Sequence, residues 1–162
     1  MKILVTGSAG FIGYHAAEAL LKAGHEVVGV DNFNPYYSVA LKRARAAELD
    51  RREGFTGIEA DLAEPRVLPE IFEKHRFDSV CHLAAQPGVR YSISHPFAYE
   101  RSNLDGFLRI LEACRHGAIS RLVYASSSSV YGGSPKLPFC ETDPVDRPIS
   151  LYAATKRANE LM

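Results

Sequence analysis

Apolar, β-branched runs alternate along this chain with stretches whose apolar residues recur every three or four positions. The runs predict strands at 2–6, 26–30, 55–60, 79–83 and 121–126. The longer period predicts helices at 11–23, 39–52, 65–75 and 96–116, with a last one from 150 onward. Short apolar strands separated by helices of crossover length call for parallel pairing with both sheet faces covered. Right-handed crossovers then give an α/β, doubly wound sheet in the order 3-2-1-4-5. The basic stretch 41–52 (LKRARAAELDRR) reads as a solvated helix face, because Glu48, Asp50 and Glu53 interrupt its charge. No repeat, low-complexity tract or linker breaks the pattern, so residues 1–162 are expected to form one domain. The last helix has no terminating glycine, proline or polar cap, and no residues remain for the sixth strand such sheets usually carry. The expectation is an incomplete domain that stops before a sixth strand and a separate substrate domain.

The turn after the first strand reads Gly7-Ser8-Ala9-Gly10-Phe11-Ile12-Gly13. A glycine pattern alone is weak evidence, but between a strand and a helix it has a mechanical meaning. One glycine allows the tight turn, the next admits a pyrophosphate to the backbone, and the third lets helix pack on strand. The helix N-terminus then offers free N–H groups to phosphate. Asp31 follows Gly13 by 18 residues, at the end of the second strand. A carboxylate there accepts both hydroxyls of an adenosine ribose and repels a 2′-phosphate, so NAD is expected over NADP. Asn32 stands where a cation would be expected in a chain built for NADP. Asp61, with Leu62 beside it, is placed for the adenine edge, or as the N-cap of the third helix, or both. Leu83, Ala84 and Ala85 follow the fourth strand, where small residues let the backbone approach a cofactor. His82 is read as a packed strand residue, not a catalyst.

Tyr152 and Lys156 stand one helical turn apart, on one face of the last helix. Such a spacing often marks a mere surface pair. Here it follows the glycine turn, Asp31 and a serine run, Ser126 to Ser129, at the end of the fifth strand. Carboxyl ends of strands are where such sheets bind ligands. A free tyrosine titrates near ~10, so only about 0.1% is ionised at pH 7. A lysine cation nearby lowers that by ~1–3 pH units, which makes a usable base for a sugar hydroxyl. Lys156 is also placed to hold the nicotinamide ribose, and a serine shares the proton with Tyr152.

Composition narrows the field. Nineteen basic side chains balance nineteen acidic ones, which leaves no electrostatic footprint for nucleic acid or an anionic membrane. The N-terminal apolar run is too short for a signal peptide or a membrane span. Cys81, Cys114 and Cys140 are odd in number and far apart, and form neither a disulfide framework nor a metal motif. Cys81 is expected in strand core and Cys114 in helix core, and the setting is expected to be cytoplasmic.

Over its whole length the chain resembles the extended short-chain dehydrogenase/reductase superfamily, with its Rossmann-like fold. More narrowly it is similar to the UDP-glucuronate 4-epimerases. That likeness rests on residues 31–37 (DNFNPYY), 41–45 (LKRAR), 84–92 (AAQPGVRYS), 125–132 (ASSSSVYG) and 151–162 (LYAATKRANELM). The resemblance implies an isomerase of nucleotide-sugar metabolism that interconverts UDP-glucuronate and UDP-galacturonate through a 4-keto intermediate, with transient reduction of bound NAD. It implies Tyr152 as base toward the sugar O4, with Ser127 and Lys156 completing the catalytic set. It places Arg90, Ser127, Ser128 and Ser129 on the substrate side. Sugar 4,6-dehydratases carry an Asp-Glu pair where Ser128 and Ser129 stand, so dehydration is disfavoured. It further implies a homodimer through the 96–116 and 150–162 helices, with Ala153, Arg157 and Glu160 on that face. UDP-glucuronate decarboxylase, another UDP-sugar epimerase or dehydratase, and a non-catalytic NAD-binding module remain alternatives. The family's region that grips uridine diphosphate is absent from these residues, so the chain alone is expected to turn over little.

Overall fold

The computed structural model describes all 162 residues. The chain divides into two compact units, one of residues 1–84 with 109–124 and one of residues 85–108 with 125–162. The first holds a five-stranded sheet, β1 (Lys2–Thr6), β2 (Glu26–Asp31), β3 (Phe55–Glu59), β4 (Ser79–His82) and β5 (Leu122–Tyr124). Every pairing is parallel and the order is β3-β2-β1-β4-β5, as the pattern predicted.

The sheet alternates as a pleated sheet must. Ile3 and Val5 of β1 join Val27 on one face, against Ala17 of α1 (Phe11–Lys22) and Leu49 of α2 (Val39–Asp50). Leu4 joins Val28, Val30 and Val80 on the other, against Leu68 and Ile71 of α3 (Val67–Lys74) and Cys114 of the helix that ends at His116. Both faces are thus closed by helices, which is why the strand sequences read as unbroken apolar runs. The register aligns Thr6 with Val30 and with His82, so β1, β2 and β4 end at one level.

The second unit contains the helical segment after β4 as far as Leu108, and the helices after β5; the rest of the segment after β4, from Arg109, belongs to the first unit. The expected helix 96–116 runs from Pro96 to His116 without interruption, but it carries a π turn inside it and a short separate helix before it. The chain forms α4 (Tyr91–Ser94), α5 (Pro96–Tyr99), a π-helical turn (Glu100–Asp105) and α6 (Gly106–His116). The cause of the π turn is Asn103, which is 2% exposed. Its carbonyl oxygen is taken by Asn159 Nδ2 at 2.7 Å, and its side chain is held elsewhere, so the regular ladder widens there. After β5 come a 3-10 turn (Ser128–Tyr131) and α7 (Leu151–Leu161). Ser150 caps α7, its hydroxyl accepting from Ala153 N at 3.0 Å. α7 packs on α4, α5, the π turn and the 3-10 turn.

Candidate active site

In the sheet unit the chain leaves β1 through Gly7 at φ +69°, where a Cβ would lie 2.8 Å from Ala84 N. Gly13 is buried, and a Cβ there would overlap the Gly7 carbonyl oxygen. Gly10 is the N-cap of α1 and brings no side chain to it, so the first-turn amides are left for an incoming anion. Phe11 and Ile12, 66% and 65% exposed, turn away from the core.

Asp31 closes β2 and is buried. Its Oδ2 accepts from Ala9 N at 3.1 Å and its Oδ1 from Phe33 N at 2.8 Å. One carboxylate therefore braces the glycine turn and the turn after β2. Asn32 is exposed and its Oδ1 accepts from Asn34 N at 3.0 Å. Leu62 belongs to the apolar core. Asp61 is not the cap of α3, because that helix starts at Val67 after Arg66. The Asp61 carboxylate instead accepts from Ala63 N at 2.9 Å, turning the chain before it reaches the helix. Cys81 is only partly buried, since its side chain packs at the margin of one core face, while Cys114 is fully core. Burial pushes both thiols up.

One residue of this unit has no sequence signal. Thr6 Oγ1 accepts from Leu83 N and Ala84 N, each at 3.1 Å, and lies 2.8 Å from His82 Nδ1. It pins the turn after β4 against the glycine turn, and it gives buried His82 the structural partner expected of a packed residue. A glycine turn that admits no Cβ, an uncapped helix start and a buried carboxylate between them are what a dinucleotide's pyrophosphate and adenosine ribose require. These residues fit NAD.

The helical unit holds Ala85, Arg90, Ser127, Ser128, Ser129, Tyr152 and Lys156. Arg90 is exposed at the start of α4, and Tyr91 stacks on His95 with centroids 3.9 Å apart. Ser127 Oγ accepts from Ser129 N at 3.1 Å and so caps the 3-10 turn. Ser126, in contrast, is bound away, donating to Glu160 Oε1 at 2.5 Å. Tyr152 is half-buried, its amide donates to Ser92 Oγ at 3.3 Å, and its ring meets Tyr99 edge-on at 6.1 Å. Lys156 is 6% exposed and donates to Ala125 O at 2.9 Å. Burial pushes its ammonium down to about 8.

Sequence reasoning missed the network behind α7. Asn103 Oδ1 accepts from Gln86 N at 2.8 Å, and Asn103 Nδ2 donates to Gln86 O and to Thr155 Oγ1, each at 3.1 Å. Thr155 precedes Lys156, so one buried amide ties the loop after β4 to the helix that carries Tyr152 and Lys156. A polar residue inside a helical pattern was the only available signal.

Comparison with known proteins decides the family. The family model described as the NAD dependent epimerase/dehydratase family matches residues 3–162. The chain belongs to that family. It is 50% identical over 159 residues to UDP-glucuronate 4-epimerase 3 of Arabidopsis thaliana, covering 98% of this chain and 37% of that protein. It is 52% identical over 162 residues to Protein CapI of Staphylococcus aureus, covering 100% of this chain and 48% of that one. Among solved structures, UDP-glucuronic acid 4-epimerase from Bacillus cereus, in complex with UDP-glucuronic acid and NAD, superposes with a TM-score of 0.88. It is 37% identical, over 99% of this chain and 50% of that one. The chain thus spans about half the length of that structure and less than half of these two curated relatives.

Proposed function

We propose that residues 1–162 form the cofactor-binding and catalytic half of a nucleotide-sugar 4-epimerase that interconverts UDP-glucuronate and UDP-galacturonate. The observation that carries the proposal is Lys156, a buried ammonium on the helix of Tyr152, in a unit where Ser127 heads the turn packed on that helix. Burial without a carboxylate partner has an energetic cost, and chemistry that uses the cation offers a reason for it.

NAD, when bound, would take a hydride from the sugar C4 and give it back. The glycine turn and the start of α1 would hold its pyrophosphate, Asp31 its adenosine ribose, and Asp61 with Leu62 its adenine. Tyr152 accepts the proton of the sugar O4. Lys156 supplies the positive charge that a proton-accepting phenolate needs, and it keeps two ammonium hydrogens beyond the one given to Ala125 O. Ser127 passes the proton between the sugar oxygen and Tyr152. Ser128 and Ser129 carry no acid, which leaves the turn without a group to expel water from C6. Their hydroxyls, with Arg90, are assigned to the substrate.

No helix is long and apolar enough to cross a membrane, and a cytoplasmic setting is part of the proposal. So is a homodimer through the 96–116 and 150–162 segments, on which Phe97 is 82% and Leu161 71% exposed. Ala153 is 0% exposed and cannot belong to such a face. Arg157 and Glu160 pair with each other at 3.0 Å. A monomer in sedimentation at high concentration would count against the dimer.

The deciding experiment incubates UDP-glucuronate and NAD with the protein that carries this chain and separates UDP-galacturonate from UDP-pentose. UDP-galacturonate is the expected product, and UDP-pentose would move the assignment to decarboxylation. Residues 1–162 alone should bind NAD weakly and turn over little, because remote contacts to the nucleotide are what place a reacting centre. Such positioning is worth roughly 7–11 kcal/mol of a barrier.

A further inference from the structure

We propose that Lys42, which offsets the Asp31 carboxylate at the end of β2, is a second determinant of cofactor choice. The inference rests on reading the sheet unit as the adenosine site. Most of the basic stretch on α2 is exposed, as its interrupted charge predicted, but two of its members turn inward. Lys42 Nζ lies 3.7 Å from Asp31 Oδ1 and donates to Asn34 O at 3.0 Å, with its side chain only 12% exposed. Arg45, one turn along, reaches Ala9 O in the glycine turn at 3.5 Å and lies 5.7 Å from the Phe11 ring. Arg43 is already engaged. Both of its terminal nitrogens hold Glu59 at 2.6 Å, and its guanidinium covers the Phe33 ring at 3.7 Å.

The charges at the end of β2 are therefore Asp31 against Lys42, with Arg43 held by Glu59 and Arg45 on the glycine turn. A ribose diol there meets a carboxylate acceptor whose charge Lys42 already offsets. A 2′-phosphate brings about −1.5 to −2 more charge to the same point. It would face Asp31 at close range, and like charges there are repulsive enough to exclude it. Neutralising Asp31 reverses the balance. Lys42 then loses its carboxylate partner and leaves an uncompensated cation beside that position. In chains that select NADP through a basic residue just after the second strand, that cation is local in sequence. Here Asn32 occupies that place and the cation arrives from the next helix.

Calorimetric titration of NAD and of NADP tests the inference on the wild type, Asp31→Asn, Asp31→Ser, Lys42→Ala and the Asp31→Ser/Lys42→Ala pair. Thermal melts followed by circular dichroism check that each is folded. Asp31→Asn keeps one acceptor oxygen for the backbone and guards against a serine variant that unfolds. The wild type should favour NAD by about tenfold or more, and Lys42→Ala should widen that margin. Both Asp31 variants should favour NADP by about tenfold. Adding Lys42→Ala should cost about tenfold in NADP affinity and less than about threefold in NAD affinity. Folded Asp31 variants that bind NAD but gain nothing on NADP would overturn the proposal, as would a pair that keeps the reversal. A wild type that binds neither dinucleotide, or both equally, would overturn the reading of the site itself.

Discussion

Lys156→Met separates what the buried ammonium costs the fold from what it does in catalysis. The side chain is 6% exposed, and burial takes its ammonium from an ordinary 10.5 to about 8. That difference, at ~1.4 kcal/mol per pH unit, makes the charged form about 3 kcal/mol less favourable in the folded chain than in the unfolded one. Below about 8 both states hold the proton, and the folded state carries the whole cost. Between about 8 and 10.5 the folded state has released the proton while the unfolded state keeps it. Stability therefore rises with pH through this window, and this group's contribution is complete above 10.5. Methionine has similar length and no charge. It removes the cost but leaves Ala125 O without its donor, a loss of about 1–3 kcal/mol. At pH 7 the variant should be as stable as the wild type, or more stable by up to about 2 kcal/mol. That lead should shrink by about 2–3 kcal/mol between pH 7 and 10, as the wild type gains and the variant does not. Urea unfolding of both proteins at several pH values measures the difference directly and cancels the titration of every other group. A difference constant to within about 0.5 kcal/mol across the range would mean that the ammonium is hydrated, and the argument from burial would fail. The same substitution in the enzyme should abolish epimerisation, the usual opposition of activity and stability at a working site.

Tyr152→Phe should lower turnover by about 10²–10⁴ while leaving NAD affinity nearly unchanged, as steady-state rates and calorimetry would show. An unaltered rate would remove Tyr152 from the proton path. Gly13→Ala forces a methyl onto the Gly7 carbonyl oxygen. It should cost about 1–3 kcal/mol in urea unfolding and greatly weaken NAD binding, since the turn must open to relieve the overlap. Asn103→Ala strips partners from Gln86 N, Gln86 O and Thr155 Oγ1 at once. Its unfolding midpoint should drop by an amount worth about 2–4 kcal/mol, with faster hydrogen exchange at the Gln86 amide. Unchanged exchange there would show that the clamp is not what holds the loop.

The sheet order could be read along the chain because it depends on local periodicity and on a general handedness of crossovers. The glycine turn was legible for a related reason. The spacing of Gly7, Gly10 and Gly13 places all three on one strand-to-helix turn, and Asp31 ends the next strand whatever the rest of the protein does. Tyr152 and Lys156 share a helix face by spacing alone. The sequence, then, determined which elements exist and which of them carry the candidate chemistry. Tertiary structure decided how those groups are held and charged. Asn103 and Thr155 are 52 residues apart, and no pattern in either segment announces that they bond. Their pairing falls in the π turn of a helix that the periodicity drew as regular. Lys42 belongs to a stretch whose composition describes a solvated face, yet the packing of α2 beside β3 and α1 turns it onto Asp31. Lys156 carries the same formal charge in any lysine-bearing sequence. Only its enclosure under the packed helices moves its ammonium toward neutrality. Periodicity reports which side of an element avoids water. It carries no information about which distant polar group waits on that side, and such encounters follow from sheet register and helix packing.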